Sequence, residues 1–326
     1  MTGTRTIVAA AALALMAGAA EAKGTGYVFV SHEASDTVVV LDPANDHAVV
    51  KEIHTAQRPR DMHFDADHEL LYVAAGDSDV IDVIDVATLE VVRQIPTGIS
   101  PEIFDIALDG KSLFVSEEES ALVRQIDIAT GETLMTIATG PEPEGVMVMP
   151  DGKTIYFTSE VADMVHVVDA EQGKVVKNIL VGTRPRRFEL SADETELWVS
   201  DELAGQVTII DTATNEIAQQ LPLLPPGARA EDVTPVGLAL SPDGETMFVA
   251  LGRANHVAFV DVETKEVEAY VLVGSRAWGV APSPDGELLY VANGLSDDLT
   301  IVDVAEAKAV RSLPTGRVPH TVVVDD

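Results

Sequence analysis

A seven-bladed β-propeller is the fold the sequence predicts, and three observations predict it. First, aspartates recur at Asp42, Asp85, Asp127, Asp169, Asp211, Asp261 and Asp303, each closing an apolar run such as VVVLD or VTIID, at spacings of 43, 42, 42, 42, 50 and 42 residues. A fixed period near 42 marks one supersecondary unit copied many times. Second, each period holds four short apolar runs separated by turn residues, the content of one four-stranded antiparallel blade. Third, the chain enters on a second strand, Val28-Phe29-Val30, and finishes on a first strand, Val322-Val323-Val324. The last strand then completes the first blade, and a ring closed in this way has no long free edge.

Residues 98–139 illustrate the unit. Gly98-Ile99-Ser100-Pro101 is a turn, and Ile103 to Leu108 the first strand. Asp109-Gly110 is a hairpin signal, because glycine accepts the positive φ that such a turn needs. Leu113-Phe114-Val115 is the second strand, Glu117 to Ser120 a polar loop, and Leu122 to Ile126 the third strand, ended by Asp127. The Asp127 carboxylate can accept backbone N–H groups of the turn that follows it. Thr133 to Ile137 is the fourth strand. The hairpin recurs at Asp151-Gly152, Asp243-Gly244 and Asp285-Gly286, and in degenerate form at Asp67-His68 and Asp193-Glu194. The G-x-x-P turn recurs at Gly140 to Pro143, Gly182 to Pro185 and Gly316 to Pro319.

Residues 1–22 read as a cleaved secretory signal: Arg5, an apolar stretch from Ile7 to Ala20, and an A-x-A-like site at Ala20-Glu21-Ala22. Residues 23–326 then form a single propeller domain, exported to a periplasm, with no later segment able to cross a membrane. The chain has no cysteine, which excludes disulfides, thiolate chemistry and covalently attached c-type haem. Its net charge of -33 argues against nucleic acid and anionic lipid as partners and favours cations or basic surfaces. A phosphate loop, an H-E-x-x-H pair and a G-x-S-x-G elbow are all absent from the sequence.

The units Leu289-Tyr290-Val291-Ala292-Asn293, Thr300-Ile301-Val302-Asp303 and Ser283-Pro284-Asp285-Gly286 resemble the YVTN family of β-propeller repeats over residues 27–326. The seven-repeat, signal-bearing layout is most similar to the β-propeller proteins associated with catabolism dependent on pyrroloquinoline quinone (PQQ). That resemblance implies a periplasmic accessory role beside a PQQ-dependent alcohol dehydrogenase or an ABC-transporter component, in some cases linked to lanthanide uptake.

Two sets of residues on the face carrying the G-x-x-P turns are candidate sites. Glu102, Glu117, Glu118, Glu144, Glu160, Asp201 and Glu202 fall on one sector. Converging carboxylates repel unless neutralised, and an oxygen-only ligand set suits a hard cation such as calcium or a lanthanide. The same face carries Arg60, Arg186 and Arg187 with Trp278, His32 and His320, a set suited to a planar carboxylate ligand, PQQ among them. The seven periodic aspartates are expected to be turn-forming. His63 and His68 are not expected to share a metal, since one falls on an inner strand and the other in a hairpin.

The sequence expectation is therefore a non-enzymatic binding protein, with no catalytic residues assigned. The alternatives are an interaction scaffold, or a propeller enzyme of lactonase or quinone-cofactor type using His32, His320, Glu102 or Glu144.

Overall fold

The computed structural model describes residues 24–326. The expected signal at residues 1–22 lies outside them. Among the described residues, twenty-eight strands form seven four-stranded antiparallel sheets, with three single-turn 3₁₀ segments and no longer helix. Among these residues no helix is long and apolar enough to cross a membrane.

The first blade is built from both ends of the chain. Strand Pro319–Val324 pairs with Val28–His32, so that Val28 lies opposite Val324 and Val30 opposite Val322. The Gly24 and Gly26 N–H groups donate to the Asp326 and Asp325 carbonyls. Asp325, 1% exposed, accepts from the Thr25 N–H at 2.6 Å and approaches His68 Nδ1 at 2.9 Å. Closure is thus a backbone ladder reinforced by one buried carboxylate.

All seven periodic aspartates do the turn-forming work expected of them. Asp42 accepts the Ala44 N–H, and Asp85, Asp127, Asp169, Asp211, Asp261 and Asp303 accept the N–H three residues on, at 2.6–2.9 Å. Such bonds favour the charged carboxylate, and they hold Asp85, Asp127, Asp211 and Asp261 below their ordinary pKa.

The inner strands are Pro59–Phe64, Pro101–Ile106, Pro143–Val148, Pro185–Leu190, Leu238–Leu240, Ala277–Pro282 and, in blade one, Pro319–Val324. In blade three the strand begins at Pro101, two residues before the expected Ile103, because proline is tolerated as a first strand residue that need not donate. Leu108, expected within it, lies outside and is exposed.

Six inner strands carry the same bulge. In blade two, Pro59 lies opposite Ala75 but Met62 lies opposite Val73, so three steps face two. The extra residue breaks the strict in–out alternation and re-aims side chains. Met62, Phe104 and Phe188 turn into the packed interfaces between blades. The residues just before and just after them turn toward the axis. Gly237 and Gly279 let neighbouring inner strands close up, since a Cβ there would run into the Trp278 and His320 carbonyl oxygens.

Candidate functional site in the axial channel

Arg60, Glu102, Glu144, Arg186, Trp278 and His320, each one step after an inner-strand start, and Val236, two residues ahead of the strand Leu238–Leu240, are all buried. They fill the axis near the G-x-x-P face. Glu102 is clasped by Arg58 and Arg60, and Arg60 also reaches Glu33 at 3.0 Å. Glu144 pairs with Arg186 at 3.0 Å and Arg187 at 3.5 Å. Glu160 pairs with Arg184 at 2.8 Å and with Arg186, and Glu202 lies 3.3 Å from Arg184. Burial works to raise the Glu144 pKa, but the guanidiniums of Arg186, Arg187 and Arg60 outweigh it and hold the carboxyl below its ordinary value.

The seven acids of the expected cation site are not gathered round one point. Glu117 is engaged by Arg124 at 3.0 Å and by the Gly98 N–H at 3.0 Å. Asp201 accepts from Thr208 Oγ1 at 2.6 Å and Gln206 Nε2 at 3.0 Å. Glu118 lies in a 3₁₀ turn. Among the described residues, no group of three or more His, Cys, Asp or Glu is arranged to hold a metal ion. Arginines supply the counter-charge that sequence reasoning assigned to a cation.

The second expected set also divides. Arg187, Trp278 and His320 line a central cavity, while Arg60 and Arg186 stand behind them in the ion-paired layer. His32 is elsewhere, with Nε2 against Thr315 Oγ1 at 3.0 Å, and burial lowers it to about 4. His320 Nε2 faces the guanidiniums of Arg60, at 3.2 and 3.3 Å, and Arg187, at 3.5 Å. Both neighbours can only donate, so Nε2 is the acceptor and the proton sits on Nδ1, 2.9 Å from Thr321 Oγ1. Burial and these cations hold His320 well below its ordinary pKa, so it stays neutral.

The cavity has a volume of about 650 Å³ and runs from Trp278, His320 and Arg187 toward Pro242, Pro284 and His68 on the hairpin face. Sequence reasoning placed the site at the other mouth. The mutual pairing of arginines and glutamates occupies that end of the axis.

Four residues that sequence reasoning missed face this cavity: Asp61, His63, Asp105 and Glu189. His63 Nε2 lies 3.0 Å from Asp61 Oδ2, and Asp61 also accepts the Phe104 N–H at 3.2 Å and faces Arg187 at 3.5 Å. The His63 ring meets Phe104 edge-on at 5.0 Å, and its side chain keeps 41% exposure at the cavity wall. Burial opposes the His63 charge, but the adjacent Asp61 and the more distant Asp105 outweigh it and raise the pKa to about 9. Burial also would raise Asp61, yet the His63 charge and hydrogen bond hold it below its ordinary value. Glu189 has no such partner, and burial pushes it up to about 7. Burial likewise raises Asp105, which accepts the Val148 and Ile106 N–H groups at 2.7 Å.

At neutral pH the wall thus holds an imidazolium locked to a carboxylate, a guanidinium, and a carboxyl poised between its two forms. This is a combination able to move a proton and stabilise a developing anion. His63 and Glu189 occupy equivalent positions, four residues after the starting proline of blades two and five. Charge at that position on an inner strand was the signal available.

No curated protein matches this chain by sequence. Solved structures match it closely in shape. The periplasmic gluconolactonase of Pseudomonas aeruginosa superposes with a TM-score of 0.76 at 22% identity, covering 92% of this chain and 99% of that one. The Kuenenia stuttgartiensis hydrazine synthase gives 0.75 at 24% identity over 86% of this chain and 93% of that one. The dihydro-haem d1 dehydrogenase NirN gives 0.69 at 14% identity over 92% and 75%. These likenesses establish the seven-bladed fold. They also overturn the expectation that the chain is not an enzyme, because propellers of this shape include proteins named for the reactions they catalyse. The family profile that matches spans residues 60–299, and the chain accordingly belongs to the choice-of-anchor I domain family.

Proposed function

We propose that this propeller is a hydrolase that opens lactones in its axial cavity. The observation that carries the reading is the convergence of Glu189, the Asp61–His63 pair and Arg187 on one cavity of about 650 Å³. Glu189, with its pKa near 7, is the base that takes a proton from water. The water oxygen adds to the lactone carbonyl carbon, and negative charge moves onto the carbonyl oxygen. The His63 imidazolium and the Arg187 guanidinium, fixed on the cavity wall, stabilise that oxyanion. Collapse breaks the ring C–O bond, and the proton held by Glu189 passes to the departing alkoxide. Lactone and water give one hydroxy acid, and Glu189 returns to its starting form.

The periplasm is the setting we propose, supported by the signal-like residues 1–22 and by the likeness to a periplasmic gluconolactonase. The resemblance to PQQ-associated propellers supports the same setting. Oxidation of a cyclic hemiacetal by a dehydrogenase in that compartment is the class of reaction that would supply a lactone.

The test is base-uptake titration of lactone hydrolysis by the mature protein, with Glu189→Gln and His63→Asn compared at equal folded concentration. Each variant is expected to lose about 10²–10⁴-fold in rate, the usual contribution of a positioned acid or base. Wild-type turnover no faster than the spontaneous reaction would overturn the proposal.

A further inference from the structure

The inner end of the cavity holds two donors that find no protein acceptor. Trp278 lines the cavity and is only 7% exposed, yet its indole Nε1–H is unpaired among the described residues. Arg187 Nε is unpaired there as well. Both residues border His320. The Trp278 and His320 rings are 5.6 Å apart, and His320 Nε2 is 3.5 Å from Arg187 Nη2. A buried donor without an acceptor is unfavourable, so two such donors beside one histidine of the cavity wall mark a place that favours incoming acceptor oxygens.

Charge compensation points the same way. Arg187 meets Asp61 and Glu144 only at 3.5 Å, longer than the roughly 2.7–2.9 Å of a well-formed guanidinium–carboxylate contact. Arg60 and Arg186 are each surrounded by several glutamates that raise their pKa despite burial. Arg187 is the reverse case: burial wins, aided by repulsion from Arg186 and Arg60, and its pKa is lowered. Arg276, stacked on the Trp278 ring at 4.4 Å, is lowered by burial too. Arg187 and Arg276 are therefore less fully neutralised than Arg60 and Arg186, in a chain whose net charge is -33.

We infer that Trp278 Nε1 and Arg187 form a carboxylate seat at the inner end of the cavity, and that the substrate is a lactone bearing a second, free carboxylate. A carboxylate presents two acceptor oxygens to the indole N–H and the guanidinium edge, as these donors require. A neutral lactone of a monocarboxylic sugar acid offers these donors only uncharged oxygens, which are weaker acceptors. The word lactone rests on the function proposed above; the carboxylate rests on this geometry alone.

Binding and turnover separate the two. Calorimetric titrations would compare D-glucarate, which carries a carboxylate at each end, with D-gluconate, which carries one, on the wild type, Trp278→Phe and Arg187→Lys. The seat predicts that glucarate binds at least about tenfold more tightly than gluconate, the scale of one charge-assisted hydrogen bond. It predicts that either variant shrinks this ratio to below about threefold, while circular dichroism confirms folding. It also predicts a change in indole emission on binding, with Trp278 one of only two tryptophans. Equal affinity for the two acids, an unchanged ratio in both variants, or tighter binding of inorganic phosphate than of glucarate would each overturn the seat. In parallel, glucaro-1,4-lactone and glucono-1,4-lactone would be assayed as substrates. A glucarate preference with no turnover of either lactone would refute the hydrolase and leave the seat standing. Equal turnover of both lactones would refute the seat and leave the hydrolase standing.

Discussion

At the scale of single residues, environment separates side chains of the same type. Asp85 and its six counterparts hold turns, and in Asp85, Asp127, Asp211 and Asp261 the turn hydrogen bonds lower the pKa. Glu144 is held low because three arginines outweigh its burial, whereas at Glu189 burial outweighs the Leu190 N–H and the pull of His63 and pushes the pKa up to about 7. Two histidines diverge in the same way: His63 beside Asp61 rises to about 9, and His320 among arginines stays neutral. The pH dependence follows from these signs. Glu189 must lose its proton to act as base, so kcat/KM rises as pH passes about 7. His63 must keep its proton, so kcat/KM falls as pH passes about 9. Asp61→Asn removes the charge that raises His63 and is expected to move the alkaline limb to lower pH, which a pH–rate profile reads directly. Stability responds through the same pair. A histidine whose folded pKa exceeds its unfolded value of 6.5 contributes stability fully below that value, and the contribution is lost as pH rises through about 9. Urea midpoints of wild type and Asp61→Asn should therefore converge as pH rises through that window.

At the scale of the strand and turn, the bulge explains why the blades were legible in the sequence and the site was not. The periodic aspartates and Asp-Gly hairpins are local devices, each read within four residues. Under strict alternation from Arg60, the residues facing the axis would be Met62 and Phe64, and His63 would fall between blades. The bulge between Pro59 and Met62 reverses this, burying Met62 in the core and giving Asp61 and His63 to the channel. The same shift in blade five gives Arg187 and Glu189 to the channel. No feature of the local sequence announces the extra residue. The hairpins yield a separate prediction. Gly110, Gly152, Gly244 and Gly286 take the positive φ of these turns, but in blade five Glu194 is held there at φ 62°. A side chain in that region costs roughly 1–2 kcal/mol, offset in part by the greater unfolded freedom of glycine. Glu194→Gly is expected to stabilise the protein by about 0.5–1 kcal/mol, measured by urea unfolding.

For the whole molecule, closure and site share one strand. The strand Pro319–Val324 closes the first blade and also carries His320 into the channel, so the site is complete only when the ring is shut. Asp325, beyond that strand, ties it to Thr25 and His68. Asp325→Ala would remove the acceptor of Thr25 and the partner of His68 at the seam and is expected to cost about 0.5–1.5 kcal/mol in urea unfolding. The acidic surface foreseen from a net charge of -33 is present, yet along the axis the acids are matched by arginines. A cluster of carboxylates in sequence does not reveal its counter-ions when they lie on neighbouring blades. The ring brings Asp61 of blade two to within 3.5 Å of Arg187 of blade five, a contact that no local pattern contains.

The central claim is that Glu189 and His63 perform acid–base chemistry in this cavity, and the most direct measurement is the pH–rate profile of lactone hydrolysis by wild type and Glu189→Gln. The account predicts a bell with limbs near 7 and 9 in the wild type, and loss of nearly all turnover when Glu189 is replaced. Hydrolysis by Glu189→Gln at the wild-type rate, or a wild-type rate that shows neither limb, would contradict it.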